Sequence, residues 1–181
     1  MDMSMKANER GGFMSNSRAY CAGVVTDRAE LEAVYVVRMT VFVEEQKVPA
    51  EEELDAYDLT ATHFAAWTVP IGATAIPGAE NAELYTSTKA QDVVGAARLV
   101  DKGDGVGKIG RVAVLAAHRG RGVGALLMEA AEAEALHKGF KRLMLEAQCY
   151  AIPFYEKLGY IAEGDVFLDC NIEHRLMTKK L

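Results

Sequence analysis

The stretch Val112-Ala113-Val114-Leu115-Ala116-Ala117-His118-Arg119-Gly120-Arg121-Gly122-Val123-Gly124-Ala125-Leu126-Leu127 decides how this chain is read. An apolar run of strand type leads through a short link into glycines at every second position, then into an amphipathic helix. At a helix N-terminus four main-chain N–H groups lack intrahelical acceptors and the macrodipole is positive, so such a site binds phosphate groups. Glycine at 120, 122 and 124 lets the main chain approach a ligand with no Cβ in between. The first functional question is which phosphate-bearing molecule sits there.

Downstream, a helix is expected from about Gly122 to Lys138 with Gly139 as its stop, then a strand over 141–147. Pro153 suits the first turn of a helix that ends near Gly159. Residues 160–168 and 172–178 read as two strands joined by Asp169-Cys170-Asn171. Upstream, 92–100 and 108–115 read as strands around the turn Asp101-Lys102-Gly103-Asp104-Gly105. Residues 62–69 form a further strand, and 22–25 a short first one. Thr26 and Asp27 offer N-cap oxygens ahead of Leu31, Val34, Tyr35 and Val41 at helical spacing, which predicts a helix over 28–45. Pro49 ends it. The acidic run from Glu51 to Asp58 is expected to be a solvated loop, 70–91 a long connection, and 1–19 a disordered tail before a single domain over 20–181. The sum is a mixed sheet with helices on its faces, an α/β or α+β architecture.

Composition narrows the function. Half of the 181 residues are hydrophobic and a quarter are charged, as in an ordinary globular domain. No apolar run approaches the roughly 18 residues that span a bilayer, so no membrane partner is expected. The net charge of −6 argues against nucleic acid as a partner. Cys21, Cys149 and Cys170 are odd in number and far apart, which points to a reducing, cytoplasmic setting and to no metal site.

Three phosphate-binding patterns compete for the glycine run. A P-loop fails on spacing, since its nearest imitation puts Ile109 where a hydroxyl is needed. A dinucleotide fingerprint would use Gly120-Arg121-Gly122 with Glu146 as the ribose acid, but Ala116 to Arg119 separate the strand from the first glycine. The pattern Arg/Gln-x-x-Gly-x-Gly/Ala is met position for position by Arg119, Gly122 and Gly124. About 25 residues on, Phe154-Tyr155-Glu156-Lys157-Leu158-Gly159-Tyr160 follows a strand end at Ala147-Gln148.

These two motifs resemble the signatures of the GNAT superfamily of acyl-CoA-dependent N-acetyltransferases. Arg38 to Gln46, with Asp55, Asp58 and His63, resembles its ElaA-like branch. The resemblance covers roughly 21–178. It implies a mixed, mostly antiparallel twisted sheet of about six to seven strands, helices on both faces, and splayed central strands. It also implies acetyl-CoA as cosubstrate, with a small-molecule amine as partner and a homodimer if the last strands exchange between subunits. The pyrophosphate would lie on the amides of Arg121, Gly122, Val123 and Gly124 with Arg119 adding charge, and Gly120 and Gln148 are assigned to the cofactor too. Val112-Ala113-Val114 would pair with the pantetheine arm. Tyr155 stands at the general-acid position.

For the base, Glu45 and His63 are the candidates, with Glu146 a third; Asp55 or Asp58 would attract a cationic amine. His118, His137 and His174 are read as surface or packing residues, with His174 able to approach the acceptor pocket, and Cys149 as packing. A non-catalytic acyl-CoA-binding module and a dinucleotide binder are the alternatives.

Overall fold

In the computed structural model, residues 13–14, 20–68 and 93–181 are described. The expected connection 70–91 and the rest of the expected tail lie outside them. One mixed sheet of eight strands carries the fold, ordered β1-β2-β3-β4-β5-β6-β8-β7. The strands are β1 (Phe13–Met14), β2 (Tyr20–Val24), β3 (Thr62–Thr68), β4 (Val93–Asp101), β5 (Val106–Val114), β6 (Arg142–Gln148), β7 (Ile161–Asp169) and β8 (Ile172–Lys180). Within the stretch expected to be tail, Phe13–Met14 pairs antiparallel with Cys21 and Ala22 at the sheet edge.

Helix α1 (Arg28–Arg38) starts where Asp27 accepts from the Glu30 amide at 2.9 Å, while Glu30 accepts from the Thr26 amide at 2.9 Å. Beyond Arg38 the coil widens into a π-helical segment, Met39–Glu45, closed by Gln46 N–H to Val41 O. The expected helix over 28–45 is therefore continuous but changes its hydrogen bonding halfway. Helix α3 (Val123–His137) covers the other face; α4 (Ile152–Lys157) follows β6. Strand alternation sorts the core. Phe64 and Ala66 pack with Leu126, Leu127 and Ala131 of α3, whereas Ala65 and Ala96 pack with Val34, Val37 and Val41 of the α1 segment. Each such fully buried Val or Leu contributes about 1.5–3 kcal/mol over its exposed state.

The acidic run is no solvated loop. Ala50–Glu53 form a short helix, α2, and Ala56–Leu59 a 3₁₀ turn capped by Asp55, with Glu53 buried and Asp58 half-buried. Their charge is answered from far along the chain. Arg38 Nε meets Glu53 at 2.6 Å, Arg38 Nη1 meets Asp58 at 2.7 Å, and Arg98 bridges Asp58 (2.8 Å) and Asp55 (2.7 Å). Arg111 Nε adds a contact to Glu53 at 2.9 Å. Charges taken this far out of water persist only when paired in this way.

Two irregularities shape the centre of the sheet. β5 runs parallel to β6 only over Val106–Lys108, opposite Arg142–Met144; beyond Lys108 the two strands part. In the β4–β5 pair, Ala96 faces Ala113 and Arg98 faces Gly110, so Arg111 and Val112 share the single partner Ala97. This is a β-bulge, and Arg111 takes φ 54° there, a left-handed value that few non-glycine residues adopt. The contacts of its guanidinium to Glu53 and to the carbonyls of Glu52 and Glu53 hold it.

Candidate active site

The parted strands open a cavity of about 750 Å³. Its walls include Ile109 to Val114 from β5, Leu145, Glu146 and Gln148 from β6, Phe154 and Tyr155 from α4, and Arg119, Gly120 and Gly124 from the glycine run.

At one end the glycine run forms a cradle. After Arg119 N–H, which reaches Ala116 O, the next main-chain bond among the described residues is Leu126 N–H to Gly122 O. The amides from Gly120 to Ala125 therefore have no main-chain acceptor and sit at the positive end of α3. Gly120 and Gly122 take φ 70° and 83°, and a Cβ built on either would meet open space. That open space is where an anion would rest on the amides. Gly124 has a second reason to be glycine: a Cβ there would come within 3.3 Å of the Phe154 ring, so its absence lets α3 pack against α4. Val123 is turned into the core and offers only its main chain, and Arg121 is exposed.

Along the wall of β5, Leu115 N–H bonds to Val94 O of β4. Alternation along a strand then directs Val114 N–H away from β4 and into the gap. The Val114 carbonyl receives the Arg119 Nε at 2.8 Å, and Arg119 Nη2 holds Glu45 at 2.5 Å.

Tyr155 is buried, its ring edge-on to Phe154 (4.9 Å between centroids) and Tyr160 (6.0 Å). Burial, with a lesser push from Tyr150, drives its phenol well above the ordinary tyrosine value, so it keeps its proton across the physiological range.

The other expected residues are distributed as follows. Glu146 lines the cavity in an ion pair with Lys108 at 2.7 Å, and Gln148 lines it with its amide on Gln46 at 2.8 Å. Glu45 does not line it. His63 does not either: it is buried against Tyr35, with Nε2 2.9 Å from the Asp58 carbonyl. Burial lowers its pKa against the upward pull of Asp58. Asp55 and Asp58 are bound to arginines. Burial works against the Asp58 carboxylate, but the guanidinium groups of Arg38 and Arg98 outweigh it and hold its pKa well below the usual range. Arg98 and Arg111 escape a reading by motif. A charge inside the apolar run Val93–Val100 was the signal for Arg98; nothing local marks Arg111.

The description Acetyltransferase (GNAT) family matches residues 41–160, spanning both the cradle and the Tyr155 motif. The chain belongs to the GNAT acetyltransferase family. It is 36% identical to the uncharacterized N-acetyltransferase YjcF of Bacillus subtilis, over 87% of this chain and 98% of that one. An acyl-CoA N-acyltransferase from Pseudomonas aeruginosa is similar in structure at a TM-score of 0.66, with 28% identity over 88% of this chain and 97% of that one. ElaA of Escherichia coli gives a TM-score of 0.67 with 26% identity over the same shares, which places the chain among ElaA-like members. Members of this family use an acyl-CoA as cosubstrate, and the cradle and gap fit one. Among the described residues no helix is long and apolar enough to cross a membrane, and no group of His, Cys, Asp or Glu side chains is placed to hold a metal.

Proposed function

We propose that this GNAT protein transfers an acetyl group from acetyl-CoA to a primary amine of a small-molecule or peptide acceptor, by direct attack of the amine on the thioester. The observation that carries the reading is one cavity joining the glycine cradle, the open edge of β5 and the Tyr155 phenol.

The amides of Gly120 to Gly124 would bind the pyrophosphate, with Arg119 at its side. Neutralisation by main-chain dipoles explains how a protein of net charge −6 holds an anionic cosubstrate. The unpaired side of β5 from Ile109 to Val114 would receive the pantetheine arm as an added strand. Val114 N–H faces the gap where a thioester carbonyl would lie, and a donor fixed there stabilises the negative charge that develops during attack. Tyr155, kept protonated by burial, supplies the proton for the departing sulfur. An alkyl ammonium with a pKa near 10.4 is almost wholly protonated at pH 7, so the amine must also lose a proton. Of the groups expected to take it, Glu146 lines the cavity, whereas Glu45 and His63 stand outside.

The test is release of free CoA thiol from acetyl-CoA against a panel of primary amines, with alcohols as controls. Saturable, amine-dependent release is expected. Acetyl-CoA binding with no release for any amine would favour a non-catalytic binding module and overturn the reading.

A further inference from the structure

A second cavity of about 240 Å³ adjoins the first, between α2 and the β7–β8 turn. The glycine cradle lines only the larger one, so the smaller offers a separate approach for an acceptor. The residues common to both mark where acceptor and thioester would meet: Phe42, Asp55, Arg111, Gln148, Asp169 and His174. Asp55 is held by Arg98, Arg111 remains a cation, and Asp169 is exposed to solvent.

His174 is different. It lies on β8 opposite Gln148 of β6 and Phe167 of β7, and only 8% of it is exposed. Its Nδ1 is 2.9 Å from the Ile172 carbonyl oxygen, the ring's only hydrogen-bond partner among the described residues. A carbonyl can only accept, so Nδ1 carries the hydrogen and the neutral ring leaves its lone pair on Nε2. Phe167 stacks on one face at 5.9 Å and 24°. With Nδ1 turned to its own strand and that face covered, Nε2 has no hydrogen-bond partner among the described residues, in a ring that lines both cavities.

We infer that His174 is the proton acceptor for the attacking amine, an assignment that rests on the acetyl-transfer reading. One proton of the bound ammonium passes to Nε2 and on to solvent. The nitrogen then attacks, the N–C bond forms and the C–S bond breaks. The sulfur takes the proton of Tyr155, which is replaced by the second proton leaving the nitrogen. The rivals are engaged elsewhere: Glu146 with Lys108 and Glu45 with Arg119. The titratable and charged groups that line the two cavities with His174 are Glu51, Glu52, Glu53, Asp55 and Tyr57 from the α2 segment and the turn after it, Arg98 and Lys102 from β4 and its turn, Lys108 and Arg111 from β5, Arg119 from the glycine run, Glu146 from β6, Tyr150 and Tyr155 around α4, and Asp169 and Cys170 at the β7–β8 turn.

The substitution His174→Asn keeps a donor near the place of Nδ1–H and deletes Nε2. With wild type active, the variant should lose about a hundredfold or more in kcat, keep its acetyl-CoA affinity, and lack the acidic limb of the wild-type pH–rate profile. Activity within about threefold of wild type, or an unchanged acidic limb, would overturn the assignment while leaving acetyl transfer intact. A wild type that releases no thiol with any amine would instead remove acetyl transfer and this role together. Should the variant fail to fold, ¹⁵N-histidine NMR of the wild type decides. The Nδ1–H tautomer with a bare Nε2 that shifts on adding amine is expected, and an Nε2–H tautomer overturns it.

Discussion

Two polar regions contribute to the wall of one cavity and are built on opposite rules. In the arginine cluster, Arg38, Arg98 and Arg111 answer Glu53, Asp55 and Asp58, and the charges close on one another. In the cleft between β5 and β6, the amides of Gly120 to Ala125, the Val114 N–H and the Nε2 of His174 are left without protein partners among the described residues. A cluster whose charges are paired within itself fixes the positions of the chain around it; a cleft of unpaired donors and acceptors keeps its hydrogen-bonding capacity for a ligand. The difference separates what holds the fold from what performs the chemistry, although both regions are dense in polar groups.

The largest blow to the cleft should come from Gly122→Asp, which puts a carboxylate where the pyrophosphate would rest, at a position with φ 83°. Calorimetric affinity for acetyl-CoA should fall more than about a hundredfold, roughly 2.7 kcal/mol. Unchanged affinity would dissolve the cradle assignment. Tyr155→Phe should lower kcat by about 10²-fold or more with acetyl-CoA affinity nearly intact, as steady-state rates set beside titrations would show.

On the other side of the comparison, Arg38→Met should cost about 3 kcal/mol in urea unfolding, because it takes the fully buried cation from Glu53 and Asp58 and leaves each with a single arginine, Arg111 and Arg98 respectively. Acid should act on the same cluster. Asp58 has a folded pKa below its unfolded one, so its stabilisation is complete above the unfolded carboxylate value near 3.9 and vanishes as pH falls through the lower folded value. Asp58→Asn should therefore start less stable at pH 7 and lose less than wild type between about pH 4 and pH 2. The smallest effect is expected at the Glu45–Arg119 pair. Glu45→Gln frees Arg119 from a half-exposed pair worth about 0–1 kcal/mol, leaving stability almost unchanged and tightening acetyl-CoA binding a few-fold. No gain in affinity would mean that Arg119 does not serve the pyrophosphate.

The cleft was legible in the sequence to the extent that it is local. Gly120, Gly122 and Arg119 announce a strand-turn-helix because their conformations depend on neighbours in the chain, and the family resemblance added Tyr155. The arginine cluster was not legible. Arg38, Glu53, Asp58, Arg98 and Arg111 meet only after β4 and β5 pair and α1 packs on them, so Glu53, Asp55 and Asp58 of an acidic run that looks solvated turn out paired with arginines. His174 was legible only as a residue able to approach the acceptor pocket; its place at the junction of two cavities depends on the β6–β8 register that sets it opposite Gln148. Arg111 adds a conformational case, since its bulge follows from strand pairing and not from a residue that prefers positive φ.

The most direct measurement is calorimetric titration of the wild-type protein with acetyl-CoA and, in parallel, with NADH. Saturable one-site binding of acetyl-CoA alone is the predicted result. Binding of NADH alone, or of neither, would contradict the account.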